Sequence, residues 1–177
     1  MRRVDVAQQF KRSEGAPYVR VAQEQDEEAL HRVERATWTT RSSPAPVPPE
    51  ERPFLSAARE VLAQDMLVAD VDGQVAGYVQ LRPPTALPAH RHVQEVSGLG
   101  VHPDYQGGGV ASALLLAAVA EARRRGARRM TLRVLGHNAA ARRAYERAGF
   151  HVEGVLRGEF VLGGADVDDV LMARRLD

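Results

Sequence analysis

Three consecutive glycines, Gly107, Gly108 and Gly109, stand between a predicted strand that ends at Val101 and a predicted helix that begins near Val110. Glycine has no Cβ atom, so the backbone of such a loop can turn sharply and lie close to a ligand. The unpaired amides at a helix N-terminus carry a partial positive charge, which suits a phosphate group. The loop therefore predicts a site for a phosphorylated cofactor, although a turn without a ligand can have the same composition.

The spacing of these glycines does not fit two common phosphate-binding motifs. A dinucleotide fingerprint requires G-x-G-x-x-G, but Ser112 stands where Gly107 and Gly109 need their third glycine. A Walker loop requires a lysine directly after its glycine, whereas Lys11 is the only lysine in the chain. The loop must therefore be of another kind.

A second segment, residues 136–150, reads as a short helix with clear ends. Asn138 is a favoured N-cap residue, and Gly149 stands where a left-handed C-cap is expected. Tyr145 lies about two helical turns after Asn138 and shares its face of the helix. Taken singly, Asn138 is compatible with a plain cap and Tyr145 with a core aromatic residue. The two segments together, in this order and with a strand between them, favour a shared site.

Both segments resemble the conserved blocks of the GNAT superfamily of N-acetyltransferases. The pattern Q-x-x-G-x-A over residues 106–111, after V-H-P, resembles the superfamily's coenzyme A pyrophosphate loop. The pattern N-x-x-A-x-x-x-Y-x-x-x-G-F over residues 138–150 resembles its second block. The resemblance covers about residues 18–177, is strongest over 93–150, and extends to an ending common in small bacterial members. It implies a mixed sheet of about seven strands with helices on both faces.

The resemblance also implies how acetyl-CoA is held. In such enzymes the strand before the loop separates from its neighbour, and its exposed backbone pairs with the thioester and pantetheine. The implied cofactor-binding residues are those of the strand end, the loop and the second block, namely Leu99, Gly100, Val101, Gln106, Gly107, Gly108, Gly109, Val110, Ala111, Asn138, Arg143 and Tyr145. No metal is implied. The pair His90 and His92 lacks the further ligands that a metal site needs, so we expect it to be solvated.

Acetyl transfer to an amine needs two proton transfers. An alkylammonium group, with an ordinary pKa of about 10.4, must lose a proton before it attacks. Tyr145 matches the position where many members of the superfamily place the acid that protonates the departing thiolate. Glu95, on the strand that leads to the separation, is our candidate base, directly or through water, although a solvated glutamate is the plainer interpretation. Strand alternation puts Glu95, Ser97 and Leu99 on one face, unless a bulge changes the phase.

The composition is that of an ordinary globular domain. The chain has 177 residues, 44% of them hydrophobic, a formal net charge of +1 and no cysteine. These values argue against a nucleic-acid binder with a strong basic field and exclude disulfides, thiolate metal sites and a cysteine nucleophile. The N-terminus has no long apolar run, so neither a signal peptide nor membrane association is expected, and the default location is the cytoplasm.

The pattern of elements predicts a mixed α/β sheet. We expect a loose N-terminal arm over residues 1–16 and one domain over 17–177. Predicted strands cover residues 18–22, 66–71, 74–81, 92–101, 129–135, 151–162 and 166–174. Predicted helices cover residues 26–39, 54–63, 110–125 and 138–148. Asp26 is a candidate cap for the first of these helices. The third is apolar on nearly every side. A strand–helix–strand run through the glycine loop implies local parallel pairing, and Asp72-Gly73 implies an antiparallel hairpin.

Three functions stay open at this point. The first is acetyl-CoA-dependent N-acetylation of a small amine such as an amino acid, a polyamine or an amine drug, by direct attack in a ternary complex. The second is acetylation of a protein N-terminus or lysine. The third is a non-catalytic acyl-CoA-binding module, against which Tyr145 and Glu95 argue. We expect residues 37–53 and 83–91 to shape the acceptor pocket, with Trp38 and the prolines as one wall. A homodimer is an option.

Overall fold

The computed structural model describes residues 15–39, 42–56 and 61–176. The predicted arm over residues 1–16 lies almost wholly outside these ranges, so the arm and the domain boundary stay predictions. Within them, none of the helices is long and apolar enough to cross a membrane.

Seven strands form a mixed sheet in the order β1-β2-β3-β4-β5-β7-β6. Their bounds are β1 Tyr18–Val21, β2 Met66–Val71, β3 Gln74–Arg82, β4 Val93–Val101, β5 Arg129–Leu135, β6 His151–Leu162 and β7 Ala165–Arg175. All neighbours are antiparallel except β4 and β5, which are parallel. The predicted hairpin is present, because Asp72 and Gly73 both adopt the positive φ that a tight two-residue turn requires.

Three helices pack on the two faces of this sheet. They are α1 Glu27–Thr37, α2 Val110–Arg124 and α3 Ala139–Arg147. Helix α1 packs through Leu30 in a smaller apolar cluster on one face, whereas α2 and α3 belong to the main core on the other. The predicted fold class, a mixed sheet with helices on both faces, is confirmed.

The predicted helix over residues 54–63 is wrong at the residues that the structure describes, and residues 57–60 lie outside the described ranges. Phe54, Leu55 and Ser56 are not helical, and Ser56 forms an isolated antiparallel bridge with Val61. The carboxylate of Glu27 on α1 accepts hydrogen bonds from the backbone amides of Phe54 and Leu55. These bonds to α1, together with the burial of the Phe54 ring, replace the hydrogen bonds that a local helix would supply.

Helix α2 is less buried than its apolar composition predicts. One face, which includes Leu114, Leu115 and Ala118, lies in the core, but Leu116 is 65% exposed. A helix on the outside of a sheet buries only the side that faces the sheet, whatever the opposite side is made of.

Asp26 stands at the N-cap position of α1, as predicted, but its side chain makes no cap hydrogen bond to that helix. Its carboxylate accepts a hydrogen bond from the backbone amide of Gln23, the residue that caps the short turn before α1. The same carboxylate forms an ion pair with Arg20 of β1. Asp26 is 5% exposed, so this pairing holds the start of α1 against the sheet edge.

A bulge in β4 changes which face its side chains share. Val96 lies opposite Leu81 and Gly98 lies opposite Gln80, which leaves Ser97 as the extra residue. Val96 and Leu99 therefore both pack against the core on the α2 face. The expected alternation, with Glu95 on the same face as Leu99, is wrong, since Glu95 lies on the α1 face.

The two parallel strands separate part-way along their length. The pairing of β4 with β5 ends at Val96 and Leu132. Beyond that point β4 continues to Val101 along β3, and β5 continues to Leu135 along β7. The inner edges of these strand ends consequently have no partner within the described residues, and a gap opens in the centre of the sheet.

Ion pairs hold the C-terminal end of α2 against the sheet. The Arg125 guanidinium donates to the carboxylates of Glu121 and Asp65 and to the backbone carbonyl of Gln64. Arg124, and after it Arg125, hold the pKa of Glu121 down to about 2. Because the folded-state pKa lies below the ordinary value of 4.5, Glu121 contributes stability above pH 4.5 that is lost as the pH falls towards 2.

We expect Glu121→Gln to lower the free energy of unfolding at neutral pH, because two arginines lose their shared partner. The difference from wild type should shrink as the pH falls from about 4.5 to 2, where Glu121 becomes protonated. Urea unfolding across this range measures it. Glu146→Gln, at an exposed position of α3, is the control. A difference that stays constant down to pH 2 would contradict the assigned ion pairs.

Candidate active site

The gap between β4 and β5 holds a cavity of about 320 Å³ that passes from one face of the sheet to the other. Its two side walls are the edge of β4 from Val96 to Leu99 and the end of β5 from Arg133 to Leu135. On the α3 face it is lined by Asn138, Ala141 and Tyr145, and on the α1 face by Ser42, Pro44, Phe160 and Asp169. The predicted site residues Leu99, Asn138 and Tyr145 therefore meet at one opening.

Tyr145 is the buried group on the α3 face of this cavity. It is 7% exposed, and its ring meets Phe150 edge to face, with the ring centroids 6.1 Å apart. Its hydroxyl has no hydrogen-bond partner among the described residues. Burial raises the pKa of Tyr145 to about 12, because the charged phenolate would be poorly solvated. The phenol is therefore protonated at neutral pH and can act as a proton donor.

The start of α3 turns its backbone towards the same opening. The Asn138 side chain accepts a hydrogen bond from the amide of Ala141, as expected for an N-cap. Gly149 ends the helix region with a φ of +83°, so the predicted C-cap is confirmed. Because both ends are fixed, the helix presents Ala141 and Tyr145 together.

The glycine loop leads from the end of β4 into α2 and leaves its backbone open. Gly107 and Gly109 have φ values of +83° and +81°, and a Cβ atom added to either would meet nothing within 4 Å. Within the described residues, the amides of Gly107 and Gly109 and of Val110, Ala111 and Ser112 at the start of α2 have no acceptor. The Gln106 side chain ties the loop to β4 through a 3.1 Å bond from its Nε2 to the carbonyl of Val101. Open amides without a covering side chain fit a pyrophosphate group.

A second cavity, of about 290 Å³, lies on the α1 face beside the first. Both cavities are lined by Ser42 and by β4 from Ser97 to Leu99. The Tyr78 ring covers this part of the strand, since a Cβ atom on Gly100 would lie 2.8 Å from Tyr78 Cε1 and one on Gly98 3.6 Å from its Cε2. The glycines of β4 therefore make room for an aromatic side chain in addition to any close approach by a ligand.

The outer wall of the second cavity includes Thr37, Trp38 and Ser43. The indole N–H of Trp38 donates to the carbonyl of Ala45, which holds the proline-containing segment over the sheet. Trp38 lines the second cavity and Pro44 the first, so the expectation that Trp38 and the prolines form one wall of the acceptor pocket stays a prediction. By contrast, none of residues 83–91 lines either cavity.

Ion pairs fix this wall to α1. The Arg52 guanidinium donates to both carboxylate oxygens of Glu34, at 2.8 Å each. Arg35 donates to the carbonyl of Pro48 at 2.8 Å and pairs with Glu50. The positive charge of Arg52 thus compensates Glu34, the carboxylate that lines the second cavity.

Glu95 lies next to the opening but lines neither cavity. Its carboxylate accepts a hydrogen bond of 3.2 Å from Arg82 Nε on β3. It lies on the face that also carries Gly98 and the Tyr78 ring, and its side chain is 18% exposed. Any proton that it takes from a group in the opening must therefore travel through an intervening water or a moved side chain.

Arg143 lies outside this arrangement. It is exposed on α3 and lines neither cavity, so its implied role in binding the cofactor stays a prediction. A larger cavity of about 670 Å³ lies at the starts of β4 and β5, away from the gap, with a lining rich in arginine and histidine. It contains none of the predicted site residues.

Sequence reasoning missed two charged residues of the first cavity, Arg133 on β5 and Asp169 on β7. The strand pattern offered one signal. Arg133 interrupts the apolar run of β5, and Asp169 directly precedes the apolar residues of β7. Pairing between β5 and β7 brings them together, and this pairing was not assigned from the sequence.

A sequence model of the acetyltransferase (GNAT) family matches residues 27–150. The chain belongs to the GNAT acetyltransferase family. The resemblance inferred from the glycine loop and the second block is therefore confirmed, and with it the N-acetyltransferase class of enzymes.

Two named relatives differ in how much of their length the chain spans. The L-methionine sulfoximine/L-methionine sulfone acetyltransferase of Salmonella typhimurium is 31% identical over 142 residues, which are 80% of each protein. The mycothiol acetyltransferase of Saccharomonospora viridis is 34% identical over 137 residues, and the match covers 71% of this chain but only 42% of that protein.

A solved structure shares the fold over nearly the whole chain. The GNAT superfamily phosphinothricin acetyltransferase of Sinorhizobium meliloti, in complex with acetyl-CoA, aligns with a TM-score of 0.77 at 22% identity. The alignment covers 91% of this chain and 89% of that one. The mixed sheet with its central gap is thus the architecture of this GNAT domain.

We expect Gly109→Val to weaken the binding of coenzyme A by about tenfold or more. A β-branched residue is strained at a φ of +81°, so the loop must rearrange its amides. Calorimetry with coenzyme A measures the affinity. Gly126→Val is a matched control, because Gly126 follows the other end of α2 with a φ of +79° and equally open surroundings. Unchanged affinity in a folded Gly109→Val protein, or an equal loss in both variants, would contradict the pyrophosphate assignment.

Proposed function

We propose that this GNAT domain transfers the acetyl group of acetyl-CoA to the primary amine of a small molecule, by direct attack in a ternary complex. The observation that carries the proposal is the cavity through the sheet. It connects the face with Tyr145 and the glycine loop to the face with Trp38 and Tyr78. Two reactants that enter from opposite faces can meet there without a covalent enzyme intermediate.

The backbone is proposed to hold acetyl-CoA. The open amides within residues 106–111 would bind the pyrophosphate, whereas those of Gln106 and Gly108 already donate to backbone carbonyls of the loop. The unpaired edge of Leu99, Gly100 and Val101 would bind the pantetheine arm. When bound, acetyl-CoA supplies a thioester, whose C–S bond breaks as the amine nitrogen forms the new C–N bond. Backbone groups suit this task because strands and a helix fix their positions before the ligand arrives.

Tyr145 is proposed as the acid that protonates the departing thiolate. Its raised pKa of about 12 keeps the proton on the phenol at neutral pH. A thiol has an ordinary pKa of about 8.5, below that of the phenol, so Tyr145 would stabilise the departing thiolate by donating a hydrogen bond. Complete transfer of the proton would require the phenolate to take a proton back from water. The lack of a partner for the hydroxyl among the described residues leaves it free to serve this purpose.

Glu95 is proposed as the base, acting through water. Its carboxylate is held by Arg82 on the acceptor face and lines neither cavity, which favours the indirect route over the direct one. The proton lost by the attacking ammonium would pass along the strand from the region of Gly98 to Glu95. Arg82 then has the role of orienting the carboxylate.

A small acceptor is favoured over a protein by the size of the second cavity and by its walls. The cavity of about 290 Å³ is narrowed by the rings of Trp38, Phe54 and Tyr78. The named relatives act on small molecules, among them methionine sulfoximine and methionine sulfone. A thiol-release assay with acetyl-CoA and a panel of amines, peptides with free N-termini and lysine peptides tests this choice. Turnover with peptides alone would favour protein acetylation, and binding without any turnover would favour an acyl-CoA-binding module.

We expect Tyr145→Phe to lower kcat by about 100-fold and to leave the KM for acetyl-CoA nearly unchanged. The substitution keeps the ring packing against Phe150 and removes only the proton donor. Steady-state kinetics with the best amine of the panel measures both constants. Tyr18→Phe, on the edge strand β1, is the matched control. Wild-type turnover in Tyr145→Phe would leave Tyr145 as a packing residue.

We expect Glu95→Gln to lower the rate near neutral pH and to recover part of it at alkaline pH, where free amine is already abundant. The affinity for acetyl-CoA should stay the same, because the proposed contacts are backbone groups further along β4. A pH–rate profile measures the effect, with the exposed Glu28→Gln on α1 as the control. Equal profiles for Glu95→Gln and wild type would remove Glu95 from the mechanism.

A further inference from the structure

Arg133 brings a positive charge to the acceptor side of the gap. It follows Leu132, the last residue of β5 that pairs with β4. Leu132 and Val134 both point into the core on the α2 face, so Arg133 lies on the α1 face. It lines the same cavity as Leu99 and Tyr145.

A buried carboxylate holds this guanidinium in place. Asp169 is 2% exposed and forms an ion pair with Arg133 from the neighbouring strand β7. Burying a carboxylate is costly unless a cation and good hydrogen bonds compensate it. The pair therefore fixes the direction of Arg133, whereas a free arginine on an exposed strand would sample many rotamers.

Part of the guanidinium remains available to a ligand. Arg133 Nε donates to the carboxylate of Asp169, and Nη2 forms the ion pair with the same carboxylate. Nη2 also donates, at 3.5 Å, to the half-exposed carboxylate of Glu159 on β6. Nη1 has no partner among the described residues, and the Arg133 side chain is 50% exposed. Asp169 is covered by the chain, so the Nη1 edge of the cation is what a molecule in the cavity meets.

We infer that the acceptor carries a carboxylate that binds Arg133, and that the substrate class is amino acids rather than polyamines. The inference rests on the proposed function, since it concerns the acceptor of the same reaction. A planar guanidinium with a fixed edge recognises a carboxylate through charge-assisted hydrogen bonds. The carboxylate on Arg133 and the amine at the β4 edge would share one cavity of about 320 Å³, which suits the short spacing of an amino acid.

The second cavity supports the same assignment by its charge. Its carboxylate, Glu34, is already bound on both oxygens by Arg52. A polyamine has a second ammonium group that needs a free anion, and Glu34 does not provide one. The aromatic rings of Trp38, Phe54 and Tyr78 instead suit the apolar side chain of an amino acid.

The test compares acceptors that differ only in the carboxylate. The probes are the common L-amino acids and L-methionine sulfone, each beside its own carboxamide, and spermidine, all with acetyl-CoA in a thiol-release assay. We expect wild-type kcat/KM to be about 10- to 100-fold higher for the best amino acid than for its carboxamide, as for the loss of one charge-assisted hydrogen bond.

Variants of Arg133 then distinguish a role in binding the acceptor's carboxylate from a role in the folded structure. Arg133→Gln should raise the KM for the amino acid by a similar factor, and by much more than the KM for its carboxamide, while the KM for acetyl-CoA stays the same. Arg133→Lys should recover part of the loss. Glu159→Gln should lower the KM for the amino acid, because it removes a competing anion. Arg129→Gln is the control, on the same strand and face but paired with Glu153.

Two kinds of result would contradict the inference that the acceptor is an amino acid. A preference for carboxamides or spermidine, or an equal rise in KM for both partners of a pair in Arg133→Gln, would overturn it while leaving N-acetylation of small amines intact. If none of the tested amines were acetylated, the proposed function would be overturned as well.

Discussion

The loss of pairing between β4 and β5 after Val96 and Leu132 is the constraint on which the site depends. Unpaired backbone groups inside a sheet are costly, so such a gap persists only where the outer edge of each strand is firmly paired. Here β3 holds β4 and β7 holds β5 up to their ends. Both strands run in the same direction, and the gap opens at their carboxyl ends, the side of a parallel pair where ligands commonly bind.

The bulge at Ser97 links this gap to the two faces of the sheet. One extra residue in β4 moves Leu99 onto the core face and leaves Gly98 and Gly100 beneath the Tyr78 ring. Without the bulge, Leu99 would occupy the face that the aromatic ring now covers. The same irregularity thus disrupts the regular ladder and determines which side chains of β4 lie on each face of the sheet.

Sequence reasoning identified the elements whose signals are local. The three glycines, the cap at Asn138 and the Asp72-Gly73 turn each depend on backbone preferences within a few residues, and the parallel pair follows from the helix between its strands. The helix over residues 54–63 failed because a distant carboxylate, Glu27, supplies the hydrogen bonds of that segment. The phase of Glu95 failed because a bulge leaves little trace in a strand's composition. Arg133 and Asp169 were missed because they meet only through strand pairing.

These differences have a common physical form. The proposed cofactor side of the gap consists of backbone amides and one buried phenol, so it can be recognised from residues close together in the chain. The proposed acceptor side consists of side chains from α1, the segment after it, and strands β3 to β7, which only the tertiary fold brings together. The effect of each charge there depends on its ion-pair partner. Glu34 is compensated by Arg52, whereas Arg133 is held by the buried Asp169 and keeps its Nη1 donor unpaired among the described residues. Under the proposed function, selectivity for the acceptor therefore depends on such pairs of charged residues, and a substitution at one member changes the charge that the acceptor meets through the other.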